Sequence, residues 1–357
     1  MPPRWSDAMN MQELMRACVT QDASDIHVRV GRKPVLRVAG RLRDLAADAI
    51  DAAVAAQLVD EVLPERLRAE LDGRGSADFA ISYGTEARFR CSAFREKGGQ
   101  ALVLRRIPSK ILAFPELGLP DHIKDLLTRQ RGLILVTGPT GSGKTTTLAT
   151  LINEINVNFD KHIVTIEDPI EYHHAHKKSI VTQREVGVDV PDFSEAMRRV
   201  LRQDPDVIML GEMRDHETIS TAITAAETGH LVFGTLHTTG SARTVDRIID
   251  SFPKDQQEQV RTQLALSIVA VISQVLMPRK GGGLVAGFEI MINTSAIENY
   301  IRKAETFKIS SDIQTGRKRG MILLDEHLQQ LWRDGKLEAE TALEYAQDRA
   351  EMRNRMS

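Results

Sequence analysis

Apolar residues at Met11, Leu14, Met15 and Cys18 share one face of a helix, and just beyond them the period drops to two. Ile26-His27-Val28-Arg29-Val30 and Val35-Leu36-Arg37-Val38 alternate as strands do, with Gly31, Pro34 and Gly40 marking the turns. His27 reads as a structural strand residue. An alanine-rich stretch from Asp51 to Leu63, then Pro64 to Leu71, returns to helical character, with Pro64 placed at a helix start and Gly73 and Gly75 ending the pair. Ala87 to Phe94 and Ala101 to Ile107 predict two more strands, joined across Lys97-Gly98-Gly99 in a hairpin. The chain up to Ile107 is thus expected to form a small α+β domain.

Between Ile107 and Pro120 three prolines and Gly118 interrupt the pattern, and residues 108–120 are expected to be a linker. Past it, after the apolar run Leu133 to Val136, strand candidates recur at Ile163 to Ile166, Val207 to Leu210 and Leu231 to Leu236, separated by helical segments. Strands alternating with helices in this way are the pattern of an open, mostly parallel sheet with helices on its faces. The expected fold class is therefore α/β. In such sheets the functional loops gather at the carboxyl ends of the strands.

A chain of 357 residues exceeds what one core usually supports, which agrees with two domains. The net charge of -2 argues against a large uncompensated basic surface for nucleic acid. Cys18 and Cys91 stand far apart without metal-ligand spacing, as expected of reduced thiols. The first ten residues lack the apolar core of a signal peptide. The longest apolar tract, Ala265 to Met277, contains Ser267, Ser273 and Gln274 and is too short to span a bilayer. These features predict a cytosolic protein with no transmembrane segment, any membrane association going through a partner.

The run Leu133 to Val136 feeds Gly138-Pro139-Thr140-Gly141-Ser142-Gly143-Lys144-Thr145-Thr146, and a helix with Leu148, Leu151, Ile152 and Ile155 on one face follows. Strand, glycine-rich turn and helix together are the context of a phosphate-binding P-loop. The glycines permit conformations and close approach that a Cβ would obstruct. Loop amides then converge at a helix N-terminus, Lys144 adds a point charge, and Thr145 offers its hydroxyl to Mg²⁺. Binding of a nucleoside triphosphate is expected.

Three further strand ends carry candidate groups. Glu167-Asp168-Pro169-Ile170-Glu171 follows the strand ending at Ile166, and reads either as a carboxylate that polarises the attacking water or as a solvated acidic turn. Val207 to Leu210 leads into Gly211-Glu212-Met213-Arg214-Asp215, a buried strand ending in an acid as in a Walker B motif. Glycine stands where aspartate is usual, which favours a hold on Mg²⁺ by Glu212 through water over direct ligation. The strand Leu231 to Leu236 starts at His230, read as structural, and delivers His237-Thr238-Thr239, where His237 could sense the γ-phosphate.

This set of motifs resembles the secretion and type IV pilus ATPase superfamily, and within it the PilT-type pilus-retraction branch. GPTGSGKTTT resembles the family's Walker A, TIEDPIEY its Asp box, LRQDPDVIMLGEMRD its Walker B region and GHLVFGTLHTTGSARTVDRIIDSFP its His box, in the family's order. ASDIHV, RFRCSAF, LRRIPSKI, SAIENYIRK and IQTGRKRGMILLD extend the resemblance over almost the whole chain. It implies a homohexameric ring whose subunits pair a PAS-like N-terminal domain, residues 1–107, with a RecA-like ATPase domain and C-terminal helices, residues 121–357. Hydrolysis of ATP with Mg²⁺ would be coupled to pilin extraction at the cytoplasmic face of the inner membrane, through a platform protein, with a related ATPase paralogue as a further expected partner. By motif, Glu167 is the Asp-box acid, Glu212 the Walker B glutamate and His237 the His-box histidine. Arg90 in RFRC and Arg105 in LRRIP match arginines that reach the phosphates, with Arg88, Arg95 and Arg106 nearby and a surface ion pair as the alternative for each.

The sequence departs from the family's AIRNLIRE motif, reading Ala296-Ile297-Glu298-Asn299-Tyr300-Ile301-Arg302-Lys303. Ile297 and Ile301 keep their common helix face, while the charge at Glu298 is reversed. The absence of a four-cysteine zinc motif argues against the assembly and secretion branches. Two other readings stay open: an accessory ring subunit with weak ATPase activity, and a RecA-like nucleic-acid translocase. Against the latter, and for no direct nucleic-acid partner, stand an aromatic content of 4% and the lack of a long basic run. Arg317-Lys318-Arg319 is expected to be a solvated loop.

Overall fold

The computed structural model describes residues 9–84, 86–107 and 110–356. Residues 1–8 of the N-terminal stretch and Pro108 and Ser109 of the expected linker lie outside the described residues. Two compact units are present, residues 1–110 with 169–173, and residues 111–168 with 174–357.

In the first unit six strands form one antiparallel sheet: β1 (Ala23–Val28), β2 (Val35–Val38), β3 (Arg41–Asp44), β4 (Ser76–Tyr83), β5 (Ala87–Glu96) and β6 (Gly99–Ile107), in the order β3-β2-β1-β6-β5-β4. Alternation puts Ile26, Val28, Phe89, Cys91, Leu102 and Leu104 on the face that meets the helices Met11–Thr20 and Ala52–Asp60. Asn10 and Asp51 cap those helices by accepting from the amides of Glu13 and Val54. Gly75, at φ 78°, ends the helix Arg68–Arg74, and Gly73 lies inside its last turn rather than terminating it. Cys18 and Cys91 are buried free thiols, and burial pushes Cys18 up to about 11, which suits a packing role.

The second unit is a seven-stranded sheet of β7 (Gly132–Thr137), β8 (His162–Glu167), β9 (Ile180–Glu185), β10 (Val207–Leu210), β11 (Leu231–Leu236), β12 (Ile268–Pro278) and β13 (Leu284–Ile292). Their order is β13-β12-β7-β11-β10-β8-β9, and every pairing is parallel except β12 with β13. Consecutive residues of β7 feed opposite cores. Leu133 and Leu135 pack with the helices His216–Glu227, Ser241–Asp250 and Gln257–Ser267, whereas Ile134 and Val136 pack with Leu148, Leu151 and Ile152 of the helix Lys144–Asn158. Phe114, Leu117 and Leu119 are buried in that second core. The apolar tract at Ala265 to Met277 is the end of one helix followed by most of β12. Among the described residues no helix is long and apolar enough to cross a membrane.

Candidate functional site

The order of the sheet brings the candidate groups together. β7 lies between β12 and β11, with β10 and then β8 beyond, so the loops after β7, β11, β10 and β8 emerge side by side at the carboxyl ends of the strands.

Gly138 has φ 143°, and a Cβ there would meet the Gln274 carbonyl oxygen at 2.2 Å. Only glycine fits. Gly141 (φ 79°) and Gly143 (φ 88°) also take left-handed conformations, and Gly143 opens the helix Lys144–Asn158. The amides of that first helical turn point out of its N-terminus into the loop, at the positive end of the helix dipole. Lys144, 9% exposed, donates through Nζ to the carbonyl oxygens of Gly138 at 2.9 Å and Pro139 at 3.0 Å. Ser142 Oγ is buried without a hydrogen-bond partner. An orphaned hydroxyl, a helix N-terminus and a captive ammonium around one turn fit a polyphosphate. Pro139, Thr140, Thr145 and Thr146 complete the loop and first turn, and Thr145 is half-buried.

A polar chain links this loop to the two neighbouring strand ends. His237 Nε2 lies 3.0 Å from Glu212 Oε1, and its Nδ1 lies 3.5 Å from Thr140 Oγ1. With Nε2 protonated the ring donates to the carboxylate and accepts from the threonine, so one neutral tautomer serves both contacts. Arg214 Nε sits 2.7 Å from the same Glu212 oxygen. Partial burial pushes the Glu212 carboxyl up, but the contacts from Arg214 and His237 outweigh it and hold the group below the usual carboxylate range. Glu212 is therefore an anion at neutral pH. At Gly211 a Cβ would make ordinary contacts of 3.4 Å with Glu167 Cα and Ile166 O, so sterics do not dictate glycine there.

Glu167, 4% exposed at the end of β8, accepts through Oε1 from Thr165 Oγ1 at 2.6 Å and Gln183 Nε2 at 3.0 Å. Among the described residues no group of three or more His, Cys, Asp or Glu side chains could hold a metal alone. The donor set suits Mg²⁺, which keeps several waters and binds through a carboxylate or hydroxyl together with substrate phosphates. Thr145 and Glu212 could supply those protein donors.

Several groups were not singled out from sequence. Gln274 is 2% exposed and bonds both Ser142 O and Thr147 Oγ1, while Ser273 and Glu289 hold the turn after His237. The available signal was two adjacent polar residues inside an apolar strand. Gln183 and Thr165, which orient Glu167, left no such mark.

The two candidate arginines face each other across β5 and β6 on the outer side of the N-terminal sheet. Arg105 Nε is committed to Asp25 Oδ1 at 2.9 Å, whereas Arg90 is exposed and makes no ion pair among the described residues. Burial pushes the Asp25 carboxyl up, but donors from Arg105 and Ser24 outweigh it and hold it low. In the helix Ser295–Arg302, Ile297 and Ile301 are fully buried and Glu298 pairs with Arg302 at 3.2 Å. The reversed charge thus has an i, i+4 partner. Arg317-Lys318-Arg319 forms a short 3-10 turn in which Arg317 contacts Glu326 at 2.6 Å.

Residues 8–356 match the Type II/IV secretion system protein family. The type IV pilus retraction ATPase PilT of Pseudomonas aeruginosa is 46% identical over 338 residues, spanning 95% of this chain and 98% of its own. The type IV pilus ATPase PilU of the same organism is 38% identical over 346 residues, spanning 97% of this chain and 91% of its own. A solved structure of the pilus retraction motor PilT with bound ADP shares the fold at a TM-score of 0.90 and 43% identity, covering 97% of this chain and 99% of that one. The family read from the motifs holds over the length of the chain, which belongs to the Type II/IV secretion system protein family and has its RecA-like P-loop fold.

Proposed function

We propose that this chain is the ATPase subunit of a homohexameric motor that powers type IV pilus retraction, with Mg²⁺ as its cofactor. The observation that carries the reading is the chain Thr140, His237, Glu212, which joins the phosphate loop to the Walker B acid in a fold shared with a pilus retraction motor. Loop amides and Lys144 bind the triphosphate. The ionised Glu212 orients the attacking water and takes its proton, and Glu167, fixed by Thr165 and Gln183, shapes the same water site. His237, bound to the loop on one side and Glu212 on the other, registers loss of the γ-phosphate. Mg²⁺, held by Thr145 and by Glu212 through water, would neutralise charge on the phosphates.

We take residues 1–107 as the PAS-like domain, 108–120 as the linker and 121–357 as the ATPase domain. Arg90 and Arg105 of the N-terminal domain would complete a nucleotide site within the ring, so that phosphate release becomes a rigid-body domain rotation. The ring would work at the cytoplasmic face of the inner membrane, docked on a platform protein and open to a related ATPase as a second partner.

The test is steady-state ATP turnover of size-fractionated protein with Mg²⁺, beside Lys144→Ala. Turnover confined to a hexamer-sized fraction and abolished in the variant is expected. A folded hexamer that binds ATP without turning it over would make the chain an accessory ring subunit instead.

A further inference from the structure

β12 carries two buried polar residues in sequence, Ser273 (3% exposed) and Gln274 (2%), within an otherwise apolar strand. Adjacent residues of a strand point to opposite faces, and each of these grips a different loop of the site. Gln274 Nε2 donates to Ser142 O at 2.5 Å, and its Oε1 accepts from Thr147 Oγ1 at 2.8 Å, tying the phosphate loop to the first turn of its helix. The approach is close, since a Cβ at Gly143 would lie 3.2 Å from Gln274 Nε2.

On the other face, Ser273 Oγ accepts from Gly240 N at 2.9 Å. Its cross-strand partner Glu289 accepts from Ser241 N at 2.7 Å. These consecutive amides open the helix Ser241–Asp250, which has no side-chain cap of its own at Gly240. A hydroxyl of β12 and a carboxylate of β13 thus cap, from across the fold, the helix that follows His237-Thr238-Thr239.

We infer that Ser273 and Gln274 are positioning residues with separate tasks: Gln274 holds the phosphate loop in its nucleotide-binding shape, and Ser273, with Glu289, holds the His237 loop in register with Glu212. The inference rests on the ATPase reading above. The phosphate loop acts in binding, so loss of the Gln274 bonds weakens nucleotide affinity. The His237 loop acts during turnover, so loss of the Ser273 bond slows hydrolysis.

The experiment compares the wild-type ring with Gln274→Glu, which cannot donate to Ser142 O, and with Ser273→Ala. Equilibrium binding of a fluorescent ATP analogue, steady-state kcat and thermal unfolding are measured on each. Gln274→Glu is expected to bind about tenfold more weakly, and Ser273→Ala to lose about tenfold in kcat with affinity within roughly twofold of wild type. Should Gln274→Glu fail to fold, Thr147→Val removes one of the two Gln274 bonds at constant volume and carries the same expectation at smaller amplitude. A purely structural role would lower the melting temperature and move both constants together in both variants, and that result, or no change in either constant, overturns the inference. Failure of the wild type itself to bind ATP would sink the ATPase reading instead.

Discussion

His237 Nε2 meets Glu212 Oε1 at 3.0 Å where the neighbouring strands β11 and β10 end. Arg214 Nε contacts the same carboxylate oxygen, so the acid is held ionised. Replacing His237 by alanine removes the link from Glu212 to Thr140 without touching the phosphate-binding amides. Turnover is expected to fall about hundredfold, with nucleotide affinity within roughly threefold. Thr140→Val, which loses only the longer contact, is expected to have a smaller effect. Parallel measurement of kcat and equilibrium nucleotide binding checks both, and equal losses in the two quantities would show that His237 merely supports the loop.

Arg90 and Arg105 stand opposite each other on β5 and β6 but differ in what they hold. Arg105 pairs with the buried Asp25, so Arg105→Ala leaves that carboxylate to the weaker contacts of Arg37 and Ser24. A stability loss of about 1–3 kcal/mol is expected in denaturant unfolding. Arg90→Ala is expected to leave stability within about 0.5 kcal/mol and to slow ATP turnover of the ring at least about tenfold. Unchanged turnover would remove Arg90 from the nucleotide site.

His327 accepts from the Phe288 amide at 2.8 Å and stacks on the Phe288 ring. Burial, helped by nearby Lys336, pushes its pKa from 6.5 down to about 4. Between those values the unfolded chain binds the proton more tightly, so stability falls as pH is lowered through this window. The loss is roughly 3 kcal/mol by pH 4. His327→Gln, whose side-chain oxygen can still accept the amide, is expected to lose most of that slope. Chemical unfolding of both proteins across the window is the check, and equal slopes would contradict it.

The strands buried on both faces were the most legible part of the fold. Val207–Leu210 and Leu231–Leu236 have the bounds read from the sequence, and in Val207–Leu210 covering both faces of the strand leaves four apolar residues in a row. β3 was illegible for the opposite reason. All four of its residues are exposed, so burial imposed no pattern on Arg41-Leu42-Arg43-Asp44. The loops of the candidate site could be read locally, since strand, glycines, lysine and helix are contiguous. Their supports could not. Gln274 reaches Ser142, and Glu289 reaches Ser241, only after β12 has paired with β7 and β13 with β12. The same holds for Gln183, brought to Glu167 by the pairing of β9 with β8.

The most direct test of the account is Glu212→Gln, which keeps the shape of the side chain and removes the charge that Arg214 and His237 hold in place. Nucleotide binding and ATP turnover would be measured on the same hexamer-sized fraction. The predicted result is ATP bound with affinity close to wild type and turnover reduced at least about hundredfold. Turnover at the wild-type rate would contradict the assignment of Glu212, and with it the hydrolytic centre built from the P-loop, Glu212 and His237.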